Sequence, residues 1–197
     1  MYCSALRVNG EVLSARDVFG CIARLKRPQS EIESICAGPF AAFGVLRSGA
    51  PSYIARWRHL IGVGDVRLDH RADVARLANI DCAHSLSDLE LVLATIHAIG
   101  EACVPTLLGD FAFVVWDPRA QKVLAVRDAF GIKPLYHRTI SGLVLFSSEM
   151  SPLRSHETYD LEFVVDFITG CTAPGARTVW NEIATVPAAS VVRQRGT

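Results

Sequence analysis

Charge of one sign is missing from this 197-residue chain: 20 basic residues are matched by 20 acidic ones. No Lys/Arg block supplies a local patch either, so the electrostatic footprint of a nucleic-acid binder is absent. Half of the residues are apolar, yet no uninterrupted apolar run approaches the roughly 18 residues of a membrane span. Met1 to Val12 lack a basic segment followed by an apolar one, which argues against a signal peptide. The six cysteines (Cys3, Cys21, Cys36, Cys82, Cys103 and Cys171) are scattered, without a CxxC pair, and too sparse for a disulfide scaffold. The expectation is a cytoplasmic protein whose thiols are mostly small core residues. Common catalytic and binding motifs are missing as well. There is no GxxxxGK[ST], no GxGxxG, no SGG-x-DS and no GxSxG. His59, His70, His84, His97, His137 and His156 show no ligand spacing, so no metal site is expected.

What is present reads as one domain over 1–197, since no linker or repeat divides the chain and its length suffices for a sizeable core. Ala5–Val8, Asn9-Gly10 and Glu11–Leu13 predict a hairpin, because Asn-Gly suits a type I′ turn. Ser14 and Asp17 predict a helix start, with Val18, Ile22 and Leu25 on one face. Strands are expected over Phe40–Leu46 and His59–Leu68, separated by a turn at Gly49-Ala50-Pro51. Asp69 is a candidate cap for a short helix carrying Val74 and Leu77. The clearest helix runs from Ser87 to Ile99, with a Ser87/Glu90 capping box and Gly100 beyond its end. Phe111–Trp116 and Val123–Val126 flank an Asp-Pro turn. Neither run alternates apolar with polar, so both faces of both strands should be buried. Leu143–Ser147 predicts a strand, Leu161–Ile168 a helix ending at Gly170, and Val191-Val192 the start of a last strand. This mixture without βαβ alternation points to an α+β sandwich.

The runs LLGDFAFVVWD, VRDAFGIKPLY and LFSSEMSPL, in this order between Leu107 and Arg154, strongly resemble the N-terminal domain of asparagine synthetases and their relatives, the β-lactam synthetases and lasso-peptide cyclases. GDVRLDHRADV, the segment from Ser85 to Asp110 and RTVWNEIATVPAASVV extend the resemblance over nearly the whole chain. It implies an Ntn-hydrolase-like four-layer αββα sandwich with two mostly antiparallel sheets. It also implies a class II glutamine amidotransferase, which in active members passes ammonia to a C-terminal ATP-dependent synthetase domain. That domain is not in these 197 residues, so ATP and Mg are expected only there, and no cofactor is expected in this chain.

Site residues follow from the resemblance, residue by residue. The family nucleophile is a cysteine at the start of the mature chain, whose own α-amino group is the base. Here Tyr2 intervenes, so Cys3 is either a packed strand residue or a nucleophile exposed by unusual trimming. The oxyanion motif Asn-Gly-Glu corresponds to Val63-Gly64-Asp65, which puts an apolar side chain where the family has its amide donor. Asp65, Gly64, Asp88 and Arg47 are the substrate-binding candidates: Asp88 for the substrate amino group and Arg47 for its carboxylate. Asp88 also suits a helix N-terminus for its charge alone. Arg127, Asp128, Gly131 and Pro134 form the best-matched block and read as structural.

The expected function is a degenerate amidotransferase-like domain that is a scaffold for a lasso-cyclase-like or asparagine-synthetase-like half. Alternatives are an active glutamine-hydrolysing fragment of an asparagine synthetase and a free-standing binding module for a small ligand or peptide. The expected partners are a synthetase domain or a separately encoded synthetase-like chain, or a second copy of the chain. Glutamine is a possible ligand, and neither nucleic acid nor membrane is expected.

Overall fold

The computed structural model describes residues 1–7, 9, 11–14, 17, 20, 23–24, 31–36, 39–47, 52–81, 83–154, 158–171 and 175–195; positions 31–36, 46–47, 52–53 and 83 are described by backbone alone. Two antiparallel sheets make up its centre. In the first, β1 (Tyr2–Arg7), β2 (Glu31–Cys36), β3 (Ala41–Arg47), β8 (Tyr136–Ile140), β9 (Leu143–Ser147) and β10 (Ala184–Thr185) lie in the order β10-β8-β9-β1-β3-β2. In the second, β4 (Ser52–Trp57), β5 (Leu60–Leu68), β6 (Gly109–Asp117), β7 (Lys122–Arg127) and β11 (Val191–Arg195) lie in the order β11-β7-β6-β5-β4.

The sheets face each other across one apolar layer. Tyr2, Leu6, Phe43, Val45 and Phe146 from the first sheet meet Val63, Val114, Trp116, Val123 and Ala125 from the second. The non-alternating runs behave as expected: β6 and β7 bury both faces, one on the opposite sheet and the other under helices. On that outer face α1 (Arg71–Leu77) and α2 (Asp88–Ile99) cover Val66, Phe111, Phe113 and Val126 with Val74, Leu89, Val92 and Leu93. The predicted capping box is present. Glu90 N–H donates to Ser87 Oγ at 3.3 Å and the Ser87 backbone N–H to Glu90 Oε2 at 2.8 Å. The outer face of the first sheet is covered by the segment around Leu153 and Ile183, which packs on Cys3, Ala5, Leu143 and Leu145. α3 (Leu161–Thr169) ends at Gly170 in the left-handed conformation, as predicted.

Two local expectations need correction. The Asn9-Gly10 hairpin does not form, because β1 already has β3 on one side and β9 on the other, and 11–14 are not a strand. Asp69 does not cap α1. His70 is at that position without a side-chain bond, while Asp69 pairs with Arg67. Sequence reading also missed β2, β4 and β8, whose short, partly polar runs carry little pattern. Finally, α2 and the 3₁₀ turn after it give a 19-residue stretch, Asp88–Thr106, apolar enough by length and composition to cross a membrane. Its leucines are fully buried against β5 and β6, which makes it a core helix. The predicted Ser14 start keeps its reciprocal bonds with Asp17, Ser14 N–H to Asp17 Oδ2 at 2.9 Å and Asp17 N–H to Ser14 Oγ at 3.2 Å. Val18, Ile22, Leu25 and the Gly49–Pro51 turn fall outside the described residues.

The chain crosses between the sheets twice in one place, out from β7 to β8 and back from β10 to β11. Arg127 and Asp128 brace both crossings. The Arg127 guanidinium donates to the carbonyls of Gly131 (2.8 Å), Lys133 (2.8 Å) and Val186 (2.7 Å) and to Thr185 Oγ1 (2.9 Å). Gly131 has φ +66°, and a Cβ there would come within 3.2 Å of that guanidinium. Asp128, 1% exposed, accepts the N–H groups of Phe130 (3.0 Å), Ile132 (2.9 Å) and Lys133 (3.0 Å). Burial opposes its ionisation, but those N–H bonds outweigh burial and hold the carboxyl below its ordinary value.

Asp128→Asn keeps the shape but turns a donor toward backbone donors, and should cost about 2–4 kcal/mol near neutral pH. A carboxyl with a lowered folded-state pKa stabilises above its unfolded value and loses that contribution as pH falls through the folded one. The stability gap between wild type and variant should therefore close as pH drops below about 4. Denaturant melts from pH 7 to pH 3 check this. A Cβ at Gly64 would sit 2.4 Å from Phe113 Cβ and 2.6 Å from the Ala112 carbonyl oxygen. Gly64→Ala should thus destabilise by about 3 kcal/mol or more, read by the same melts.

Candidate functional site

In a strand successive side chains point to opposite faces, so one residue of phase decides which side of the sheet a group serves. β1 shows this directly. Tyr2 and Leu6 face the second sheet, whereas Cys3 and Ala5 face away from it. Cys3 sits between Gly44 and Ser147, 1% exposed, with its side chain among Ala5, Leu143, Leu145, Leu153 and Ile183. Val63, which the resemblance aligns with the oxyanion donor, is buried in the layer between the sheets. Cys3 and Val63 thus lie on opposite faces of the first sheet.

The group that reaches the inter-sheet layer is Tyr2. Its backbone is clamped by the Ser147-Ser148 pair. Ser148 N–H and Ser147 Oγ donate to the Tyr2 carbonyl at 3.1 and 3.0 Å, and Tyr2 N–H donates to Ser148 Oγ at 3.1 Å. Its hydroxyl crosses to the second sheet and donates to the Ala112 carbonyl at 2.8 Å. Complete burial, with the nearby Asp65 charge adding to it and Arg127 partly opposing it, pushes the phenol far above its ordinary pKa. The ring is a neutral wedge.

Asp65 follows Val63 on the same face of β5, at the rim of the layer. Lys133 Nζ from the crossing loop pairs with its Oδ2 at 2.9 Å, and its buried Oδ1 has no partner among the described residues. Tyr2, Asp65, Lys133 and Arg127 therefore meet at one end of the sandwich. Chemically this cluster holds a neutral phenol, a neutralised carboxylate and one spare acceptor. It offers no activated nucleophile.

The other candidates are elsewhere. Asp88 is the first residue of α2, on the helix side of the second sheet, where its carboxylate accepts Leu68 N–H at 2.8 Å and pairs with Arg71. Gly64 stands where β5 and β6 approach too closely for a Cβ. Arg47 belongs to β3, but its side chain lies outside the described residues. Arg127, Asp128 and Gly131 brace the loop as described. Pro134 lines a shallow depression with Tyr136, Met150 and Trp180. Sequence reasoning missed the role of Tyr2, which strand alternation alone could have signalled, and the Lys133–Asp65 pair, which joins residues far apart in the chain.

Residues 74–197, more than half of the chain, match the family model of the glutamine amidotransferase domain. Asparagine synthetase (glutamine-hydrolyzing) 1 of Bacillus subtilis is 43% identical over 67 residues, 34% of this chain and 11% of that protein. Amidase chyE of Penicillium rubens is 41% identical over 64 residues, 32% of this chain and 10% of that one. Asparagine synthetase (glutamine-hydrolyzing) 2 of Arabidopsis thaliana is 35% identical over 96 residues, 48% of this chain and 17% of that one. The matched stretch is thus a small part of each of these relatives. Among solved structures, the glutamine phosphoribosylpyrophosphate amidotransferase from B. subtilis complexed with ADP and GMP aligns over 98% of this chain and 42% of that one, at TM-score 0.47 and 13% identity. With the match over 74–197, the chain belongs to the glutamine amidotransferase domain family, and it is similar to the asparagine synthetases over the stretches given.

Proposed function

We propose that this domain has lost glutamine hydrolysis and is a scaffold for an asparagine-synthetase-like or lasso-cyclase-like half that activates a carboxylate with ATP. The observation that carries the reading is the phase of β1. Tyr2 fills the layer that Val63 and Asp65 face, while the Cys3 side chain is packed on the other side of the sheet. Without a thiolate, a base and an amide donor on one face, neither attack on the amide carbon nor stabilisation of the resulting oxyanion is available. The ATP chemistry belongs to the partner half, encoded in the same or in a separate polypeptide.

α3 supports the scaffold role. Arg177 gathers the acidic groups of its first turns, Asp160 (2.7 Å), Glu162 (3.3 Å) and Asp166 (3.8 Å). Arg177, with the helix-start N–H groups, holds the Asp160 carboxyl down at about 2. Its apolar side is turned outward, with Leu161 at 73%, Phe167 at 77% and Ile168 at 76% exposure. Phe163 and Val164 are half-buried, and the exposed apolar residues beside them suit a face that another protein covers.

Purified chain should release no more ammonia from glutamine than its Cys3→Ala variant. Steady release that depends on Cys3 would sink the proposal and favour an active glutaminase. Without the partner half, the exposed face should drive self-association at tens of micromolar, a concentration typical of modest interfaces. Sedimentation should show it, and Leu161→Glu with Phe167→Glu should abolish it without lowering the melting temperature, because no α3 residue is buried. A wild-type chain that stays monomeric would instead favour a free-standing binding module.

A further inference from the structure

A second concave site lies on the helix side of the second sheet, where β5 begins, away from Tyr2 and Asp65. Its cavity is about 280 Å³, at the small end of the ligand range. Leu60, Ile96, Val115 and Leu124 make an apolar floor, and the rim is polar.

Several rim groups are already committed. Glu101 is held by Lys122 at 3.1 Å and by Arg193 at 2.9 Å. Asp117 accepts the N–H groups of Arg119 (2.8 Å) and Ala120 (3.0 Å) in the β6–β7 turn, and it lies 3.5 Å from His59 Nε2. Among the described residues, three donor-capable groups are not. His59 Nδ1 is buried without a partner among the described residues. The His97 ring stands edge-on to His59, 5.3 Å between centroids. Arg195 reaches the same rim from the edge strand β11.

Nε2 of His59 faces Asp117 at 3.5 Å, which leaves Nδ1 as the ring nitrogen turned toward a ligand. Nδ1 is buried and needs a hydrogen-bond partner, and none of the described residues supplies one. Two imidazoles and a guanidinium above an apolar floor call for an anion with a hydrocarbon body. Glu101 and Asp117 beside them disfavour a dianion, and the floor offers nothing to a fully polar ion such as phosphate.

We propose that this pocket binds a small monocarboxylate, its oxygens on His59, His97 and Arg195 and its aliphatic or aromatic body on the Leu60–Leu124 floor. The charged groups that face the His59–His97 pair from all sides are Asp117 on the hairpin, Glu101 after α2, Lys122 on β7 and Arg195 on β11. The site is independent of glutamine hydrolysis and of the scaffold role.

Sodium 4-methylpentanoate is the probe, followed on the full chain through the imidazole signals in NMR. Saturable shifts of His59 and His97 are expected at pH 6 with Kd about 1 mM, in line with the efficiency of ligands this small. The neutral 4-methylpentanamide and inorganic phosphate should each bind at least about tenfold more weakly, the equivalent of one lost charge-assisted contact. Arg195→Gln alters an exposed side chain, so it should weaken binding several-fold while leaving the melting temperature unchanged. His59→Gln should likewise weaken binding several-fold. The proposal is overturned by the absence of saturation at about 20 mM, or by equal binding of the amide or of phosphate.

Discussion

Everything at the working end of this domain depends on the Arg127–Asp128 brace. Two covalent crossings between stacked sheets would otherwise leave a run of backbone donors and acceptors in the interior with no ladder to join. Arg127 takes the carbonyls and Asp128 the N–H groups, so each side chain satisfies one half of the exposed backbone. The brace also fixes Lys133, which reaches across to Asp65, and it places the Arg127 charge near the Tyr2 phenol. Loop, rim and wedge are one construction.

Within that frame the chemistry turns on strand parity. A β-strand offers each face every second residue, and a shift of one residue exchanges the faces. Tyr2 and Cys3 are neighbours in the chain, yet one is a wedge between two sheets and the other is part of an apolar cluster behind the first sheet. The cost of reversing this would be high. The Tyr2 ring would leave a fully buried site, and its hydroxyl would give up the Ala112 carbonyl. The fold therefore holds the phase of β1.

Surface features divide along the same lines. Where the family fold needs order, polar groups are internally matched, as in Asp88 with Leu68 and Arg71, or Ser87 with Glu90. Mismatches occur in two other places. α3 exposes Leu161, Phe167 and Ile168, and the pocket under the β4–β5 turn leaves a buried imidazole nitrogen without a partner among the described residues. Both are positions where a second molecule would complete what the chain alone does not.

Much of this could be read from the amino-acid order because local rules sufficed. The Ser87–Glu90 box with Gly100, the Asp-Pro turn between two unbroken apolar runs, Gly170 after α3 and the Gly131-containing loop all carry signals spaced within a few residues. The doubly buried β6 and β7 followed from their lack of alternation, and the layered α+β class followed from them. The Asn9-Gly10 turn shows the limit. Its local preference was real, but β1 spends both edges on β9 and β3, partners more than 30 residues away in sequence. β2, β4 and β8 likewise acquire their strand character from neighbours. The same holds for the site. The sequence named Cys3, Val63, Asp65 and Asp88, but only the packing of two sheets decided that Cys3 and Val63 are on opposite faces, that Asp65 meets Lys133, and that Asp88 belongs to a helix start. Those outcomes rest on register and inter-sheet contact, which no window of neighbouring residues contains.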